Sequence, residues 1–113
     1  MHIIELTEPA QLDEIEQKTA DGSVAIIYKH STRCGISSMV WKKLQRQWPE
    51  ILGEREVYYL DLIRFRKISN LIADRYKVEH QSPQVLVIKN GKCVFHSSHN
   101  GVEARAIAQN IDA

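Results

Sequence analysis

The sequence predicts an α/β fold, a central mixed sheet flanked by helices, and three observations predict it. Hydrophobic periodicity alternates between strand and helix along the chain. The segment "VAIIYK", Val24 to Lys29, is β-branched and apolar on both faces, as in a central strand covered from both sides. Asn90-Gly91 separates two strand-like runs and signals a type I′ hairpin, so part of the sheet is antiparallel.

The first strand is expected over Ile3 to Leu6. Thr7 is the expected N-cap of a helix with Pro9 in its first turn, Leu12 and Ile15 on its inner face and an end near Thr19, before Asp21-Gly22. Val24 to Lys29 follows as the second strand. After the turn "HSTRCG", the residues Ile36, Met39, Val40, Leu44 and Trp48 recur at helical spacing, and Pro49 is expected to end that helix. Glu56 to Leu62 reads as a third strand, and Phe65 to Tyr76 as a helix with Phe65, Ile68, Ile72 and Tyr76 inward. Gln84 to Lys89 is the fourth strand, "KCVFHS" the returning fifth, and Val102, Ala106 and Ile111 fit a short closing helix. The order β-α-β-α-β-α-β-β-α is that of the thioredoxin fold, and residues 1–113 suffice for one such domain.

Bulk properties exclude several classes of function. Hydrophobic residues make up 43% and charged residues 26%, ordinary for a globular protein, and the formal net charge is +1. Without a basic stripe or an acidic tail, no nucleic-acid partner and no membrane association are expected. The opening "MHIIELTEPAQLDE" lacks the basic start and long apolar stretch of a secretory signal, and two cysteines do not make a disulfide framework. A cytoplasmic, reducing location is therefore expected.

The chemistry centres on "HSTRCGIS", residues 30–37. A turn from a parallel strand into a helix lies at the carboxyl end of the strands, where ligands bind in open α/β sheets. Cys34 falls at the helix start, where unpaired N–H groups and the helix dipole favour a thiolate. Gly35, Ser37 and the neighbouring cation Arg33 are the expected thiolate-stabilising residues, Ser37 through its hydroxyl. The alternative is that Cys34 is a small buried hydrophobe. His30 either contributes charge or a proton or simply ends the strand. It does not share a helix with Cys34, and no metal site is expected. A phosphatase loop would need an arginine six residues after the cysteine, where the chain has Val40.

Pro83 stands immediately before the fourth strand, where the thioredoxin fold carries a cis-proline beside the active cysteine. Ser82 before it is then placed to pair its backbone with a substrate; an ordinary trans-proline opening a strand is the alternative. Cys93 lies two residues past the hairpin turn, at the far end of the strand from Cys34, so it is not expected as a resolving thiol. "SSHNG", Ser97 to Gly101, returns to the active end. His99 and Asn100 are candidate pocket residues there, or a polar loop capping the last helix.

Together, "YKHSTRCGIS" and "HQSPQVLVIKNGKCVFHSSH" resemble the YtxJ family, the monothiol bacilliredoxins of bacillithiol-using bacteria, over nearly the whole chain. The combination His-Ser-Thr-x-Cys, Ser-Pro-Gln and Ser-His carries the likeness. The usual family motif reads Thr-Cys-Pro-Ile-Ser or close to it, whereas this chain has Gly35 after its cysteine. The resemblance implies a thioredoxin-like protein in which Cys34 undergoes thiol–disulfide exchange, with Ser82-Pro83 as the cis-proline loop. Thr32, Ser82, Pro83, His99 and Asn100 are the substrate-binding candidates. With Ser37 where a dithiol protein has its second cysteine, the expected activity is removal of bacillithiol or a similar low-molecular-weight thiol from S-thiolated proteins. That thiol serves as co-substrate, and no other cofactor is expected. Two readings compete. "CGIS" is similar to the Cys-Gly-Phe-Ser of monothiol glutaredoxins that hold an iron–sulfur cluster, although "HSSHN" replaces their glutathione-gripping segment. The other rival is a redox-inactive thioredoxin-like binding module.

Overall fold

The computed structural model describes residues 1–111, and five strands, β1 (His2–Glu5), β2 (Val24–His30), β3 (Glu56–Asp61), β4 (Gln84–Lys89) and β5 (Lys92–Ser98), form one sheet in the order β1-β3-β2-β4-β5. β1, β3 and β2 run parallel, while β4 and β5 are antiparallel additions. The helices are α1 (Ala10–Thr19), α2 (Gly35–Ile51), α3 (Arg66–Tyr76) and α4 (Ala104–Ile111). This is the thioredoxin arrangement expected from the order of elements. No helix among the described residues is long and apolar enough to cross a membrane.

Strand alternation sends β2 side chains to two different cores. Ala25 and Ile27 join Leu12, Ile15, Ile68, Ile72 and Tyr76 under α1 and α3. Ile26 and Tyr28 join Val40, Leu44, Trp48 and Ile107 under α2 and α4. The hairpin has φ +53° at Asn90 and +71° at Gly91, the pair of positive values a type I′ turn requires. That turn is tied to the end of α1: Asn90 N–H donates to the Thr19 carbonyl (2.9 Å) and Gly91 N–H to the Thr19 hydroxyl (3.1 Å). The ends of β1–β3, the start of β4 and the end of β5 therefore meet at the opposite pole.

Several local expectations are corrected. Thr7 is not a helix cap. α1 begins at Ala10, and the Thr7 and Glu8 N–H groups instead donate to the Gln11 side-chain carbonyl (2.8 and 3.0 Å). Pro49 does not end α2: it sits in the last turn, where it removes a single helical bond. The helix stops two residues later, and Gly53 at φ +62° carries the chain away with its N–H on the Trp48 carbonyl (3.0 Å). Ile36 and Met39 share the periodicity of α2 but are 49% and 67% exposed, whereas Ser37, Val40, Leu44 and Trp48 are buried. Phe65 is half-buried at the N-cap of α3, just before the helix. In the closing segment a short 3-10 turn, His99–Gly101, precedes α4, whose inward residues are Ala104, Ile107 and Ile111, with Ala106 half-buried.

Candidate functional site

The turn after β2 is closed by Cys34 N–H donating to the Ser31 carbonyl (3.2 Å). Cys34 is extended (φ −112°, ψ 117°), occupies the N-cap of α2, and its carbonyl accepts the Ser38 N–H (3.2 Å). The thiol pKa lies below the ordinary cysteine value. Ser37 N–H is the main cause, then the Ser37 hydroxyl; Ile36 N–H adds to them, while burial pulls the other way. An N-cap side chain reaches the second and third amides of a helix, not the first. Hence Ile36 and Ser37 stabilise the thiolate through their N–H groups, and Gly35, the first helical residue, does not. Arg33 is exposed and is not among the groups that lower the thiol. Thr32 is likewise exposed in the turn.

Ser37 is fully buried and sits between the helix start and the loop before β4. Its hydroxyl is 3.3 Å from the Ser82 hydroxyl. Its carbonyl accepts the Tyr28 hydroxyl (3.2 Å), which also lies 3.4 Å from His30 Nδ1. Burial first, then the negative charges of Tyr59 and Cys34, hold the Tyr28 pKa far above a free phenol, so Tyr28 remains a donor. Sequence reasoning missed Tyr28. A hydroxyl on an otherwise apolar central strand, close to the cysteine turn, was the available signal. His30 ends β2, buried against Tyr59 (ring centroids 5.4 Å apart) and Tyr28 (5.9 Å). Desolvation lowers its pKa, partly opposed by Asp61, which favours a neutral imidazole.

The Ser82–Pro83 peptide is cis. Pro83 is buried, and its carbonyl accepts the N–H of His99 (2.9 Å), which joins β5 to the proline loop. Among the described residues, neither backbone group of Ser82 has an internal hydrogen bond. His99 has a left-handed backbone (φ +55°), and both His99 and Asn100 are exposed. Asn100 lines a shallow cavity of about 170 Å³ with Met39, Val40, Lys43 and Val102. The structure thus gathers Cys34, Ser37, Ser82 and Pro83, with His99 bound behind the proline. Thr32 and Arg33 lie on the exposed turn. A larger cavity of about 540 Å³, lined by residues including Glu5, Tyr59, Asp61 and Arg64, contains no thiol.

Cys93 is the second residue of β5, opposite Ile88, next to the hairpin turn and away from the Cys34 pole. Both cysteines are free. The Cys93 thiol donates to the Phe95 carbonyl (3.3 Å), and burial raises its pKa. Among the described residues there is no group of three His, Cys, Asp or Glu side chains that could hold a metal ion.

Comparison with known proteins agrees with this fold. The family model described as monothiol bacilliredoxin BrxC matches residues 4–107. A solved structure described as having a thioredoxin fold is 27% identical, with a TM-score of 0.80 and coverage of 98% of this chain and 94% of the other. A mutant thioredoxin from Halobacterium salinarum (18% identity, TM-score 0.66, 98% and 88% coverage) has the same fold. So does Fasciola hepatica thioredoxin (21%, 0.64, 99% and 97%).

Proposed function

The chain belongs to the monothiol bacilliredoxin family, whose chemistry is thiol redox exchange, and from that premise we propose that it removes bacillithiol, or a similar small thiol, from protein mixed disulfides. The observation that carries the reading is the Cys34 thiol, lowered by Ser37 and Ile36, with the Ser37 hydroxyl where a second cysteine would stand.

The Cys34 thiolate attacks the small-thiol sulfur of the mixed disulfide. A new S–S bond joins Cys34 to that thiol, the original S–S bond breaks, and the protein substrate leaves as a thiolate that takes a proton from water. No electrons are gained or lost overall in this step. Ser37 cannot resolve the product, so an external thiol attacks the Cys34 disulfide and regenerates the enzyme. Ser82, whose backbone groups have no internal partner among the described residues, pairs with the substrate backbone beside cis-Pro83. In this reading the exposed Thr32, His99 and Asn100 are the further substrate contacts. The reaction needs no cofactor beyond the small thiol.

Incubation of a bacillithiolated protein with wild type and with Cys34→Ala tests the assignment. Wild type is expected to free the protein of its small thiol and gain that thiol's mass on Cys34; equal removal by the variant would refute the proposal.

A further inference from the structure

Lys29 has no part in the exchange step, yet it is the most unusual buried side chain of the molecule. It is completely inaccessible to solvent, and no carboxylate forms an ion pair with it among the described residues. Its ammonium donates to the Ser69 carbonyl (3.2 Å) and meets His80 Nδ1 at 3.4 Å. The Ser69 hydroxyl lies 3.2 Å from the same ring nitrogen. Desolvation pushes the Lys29 ammonium down to about 8, so it is still mostly charged at neutral pH. Burial first, then Lys29 and Arg66, lower the His80 pKa, which favours a neutral ring; facing the Lys29 ammonium, which can only donate, Nδ1 is the acceptor. Burying a cation against neutral partners alone is costly, and an apolar side chain of similar volume is often at least as stable.

The placement supplies a reason for that cost. Lys29 is five residues before Cys34 on the same strand turn, and it is paired across the ladder with Gln84, the residue after cis-Pro83. Gln84 is 1% exposed, and its side-chain N–H₂ donates to the Glu79 carbonyl (3.0 Å). The segment from Glu79 to Gln84 is therefore fixed from beneath, through Gln84 on Glu79 and through Lys29 and Ser69 on His80. Its upper side carries Ser82, against Ser37. We infer that Lys29 is a positioning residue for exchange: held between α3 and His80, it clamps the loop entering cis-Pro83 and so sets how Ser82 presents its backbone to a peptide substrate. The inference rests on the proposed exchange reaction and deepens it.

The test compares Lys29→Met with wild type in three assays. These are exchange with a bacillithiolated cysteine peptide, reaction with dithiodipyridine, which offers no peptide backbone, and the pH profile of Cys34 alkylation. The expected result is about a tenfold loss on the peptide, mainly in KM, with the other two readouts unchanged. Equal rates on the peptide would overturn the inference, because Lys29 would then only fill space. Parallel loss on both disulfides, or a moved alkylation profile, would overturn it too, by placing the effect on the thiol. If Lys29→Met does not fold, His80→Leu and His80→Asn carry the test. The leucine variant is expected to show the peptide-selective loss, and the asparagine variant, which retains an acceptor near Nδ1, to recover most of the rate; identical behaviour of the two overturns the clamp. A wild type that exchanges with dithiodipyridine but never with the peptide overturns the proposed function itself, and the clamp with it.

Discussion

The reactivity of Cys34 depends on a neighbour that is itself buried and multiply bonded. Ser37 lends the thiolate its N–H and its hydroxyl, while its carbonyl is held by Tyr28. Ser37→Ala removes only the hydroxyl contribution. The Cys34 pKa is then expected to rise without reaching that of a free cysteine, because the two N–H groups remain. The measurable result is a several-fold slower alkylation below neutral pH and an equal rate well above it. Arg33→Ala is expected to leave the same alkylation profile in place, since the guanidinium is exposed and does not act on the thiol. Gly35 is a separate case. It is the first residue of α2, and a Cβ there would meet nothing within 4 Å. Proline is well suited to that helical position. Gly35→Pro is therefore expected to raise stability by roughly 0.4–1 kcal/mol through the unfolded chain, measured as an increase in urea midpoint.

At the scale of elements, the sequence reading succeeded where a local rule had one outcome. Two positive-φ residues between β-branched runs leave a hairpin little choice, and a strand–turn–helix puts its cysteine at the helix start whatever surrounds it. The reading failed where a rule depended on tertiary context. Ile36 and Met39 satisfy helical periodicity, but periodicity cannot tell the rim beside a reactive thiol from the core. Pro49 reads as a terminator, although in a final turn it costs only one bond. Lys29 closes a strand that reads as apolar on both faces; its pairing with antiparallel β4 and the α3 carbonyl that accepts its ammonium are tertiary contacts, and neither is written in the residues around it. One tertiary link can be weighed directly. Thr19 donates its hydroxyl to the Ile15 carbonyl (2.8 Å) and accepts the Gly91 N–H. Thr19→Val leaves that N–H without its partner and is expected to cost about 1–2 kcal/mol, read from equilibrium unfolding.

Across the whole molecule, two cores share one sheet, and the buried lysine makes their joint stability depend on pH. Lys29 is near 8 in the folded chain against 10.5 as its ordinary value. Below about pH 8 both states hold the proton and the cost of the buried charge is full. Between the two values the folded state gives up its proton first, so stability rises with pH. Lys29→Met lacks this dependence. Its stability relative to wild type is expected to fall by on the order of 1–2 kcal/mol between about pH 7 and pH 9.5, as judged by paired urea titrations. A constant difference would mean that the ammonium is not desolvated as the fold indicates.

Cys93 gives the molecule a built-in reporter. Its thiol is half-buried, raised by burial and bonded to the Phe95 carbonyl, at the pole where Thr19 pins the hairpin. Both thiols are partly exposed, but the raised, hydrogen-bonded Cys93 thiol reacts more slowly than the lowered Cys34 thiol, and loosening of that corner exposes it further. In a pulse-labelling experiment the Cys34 adduct is therefore expected to form first, and the Cys93 adduct to form faster as the β4–β5 corner loosens. The ratio of the two follows, within one chain and without any introduced probe, how firmly the end remote from the chemistry is held while the reactive end stays intact.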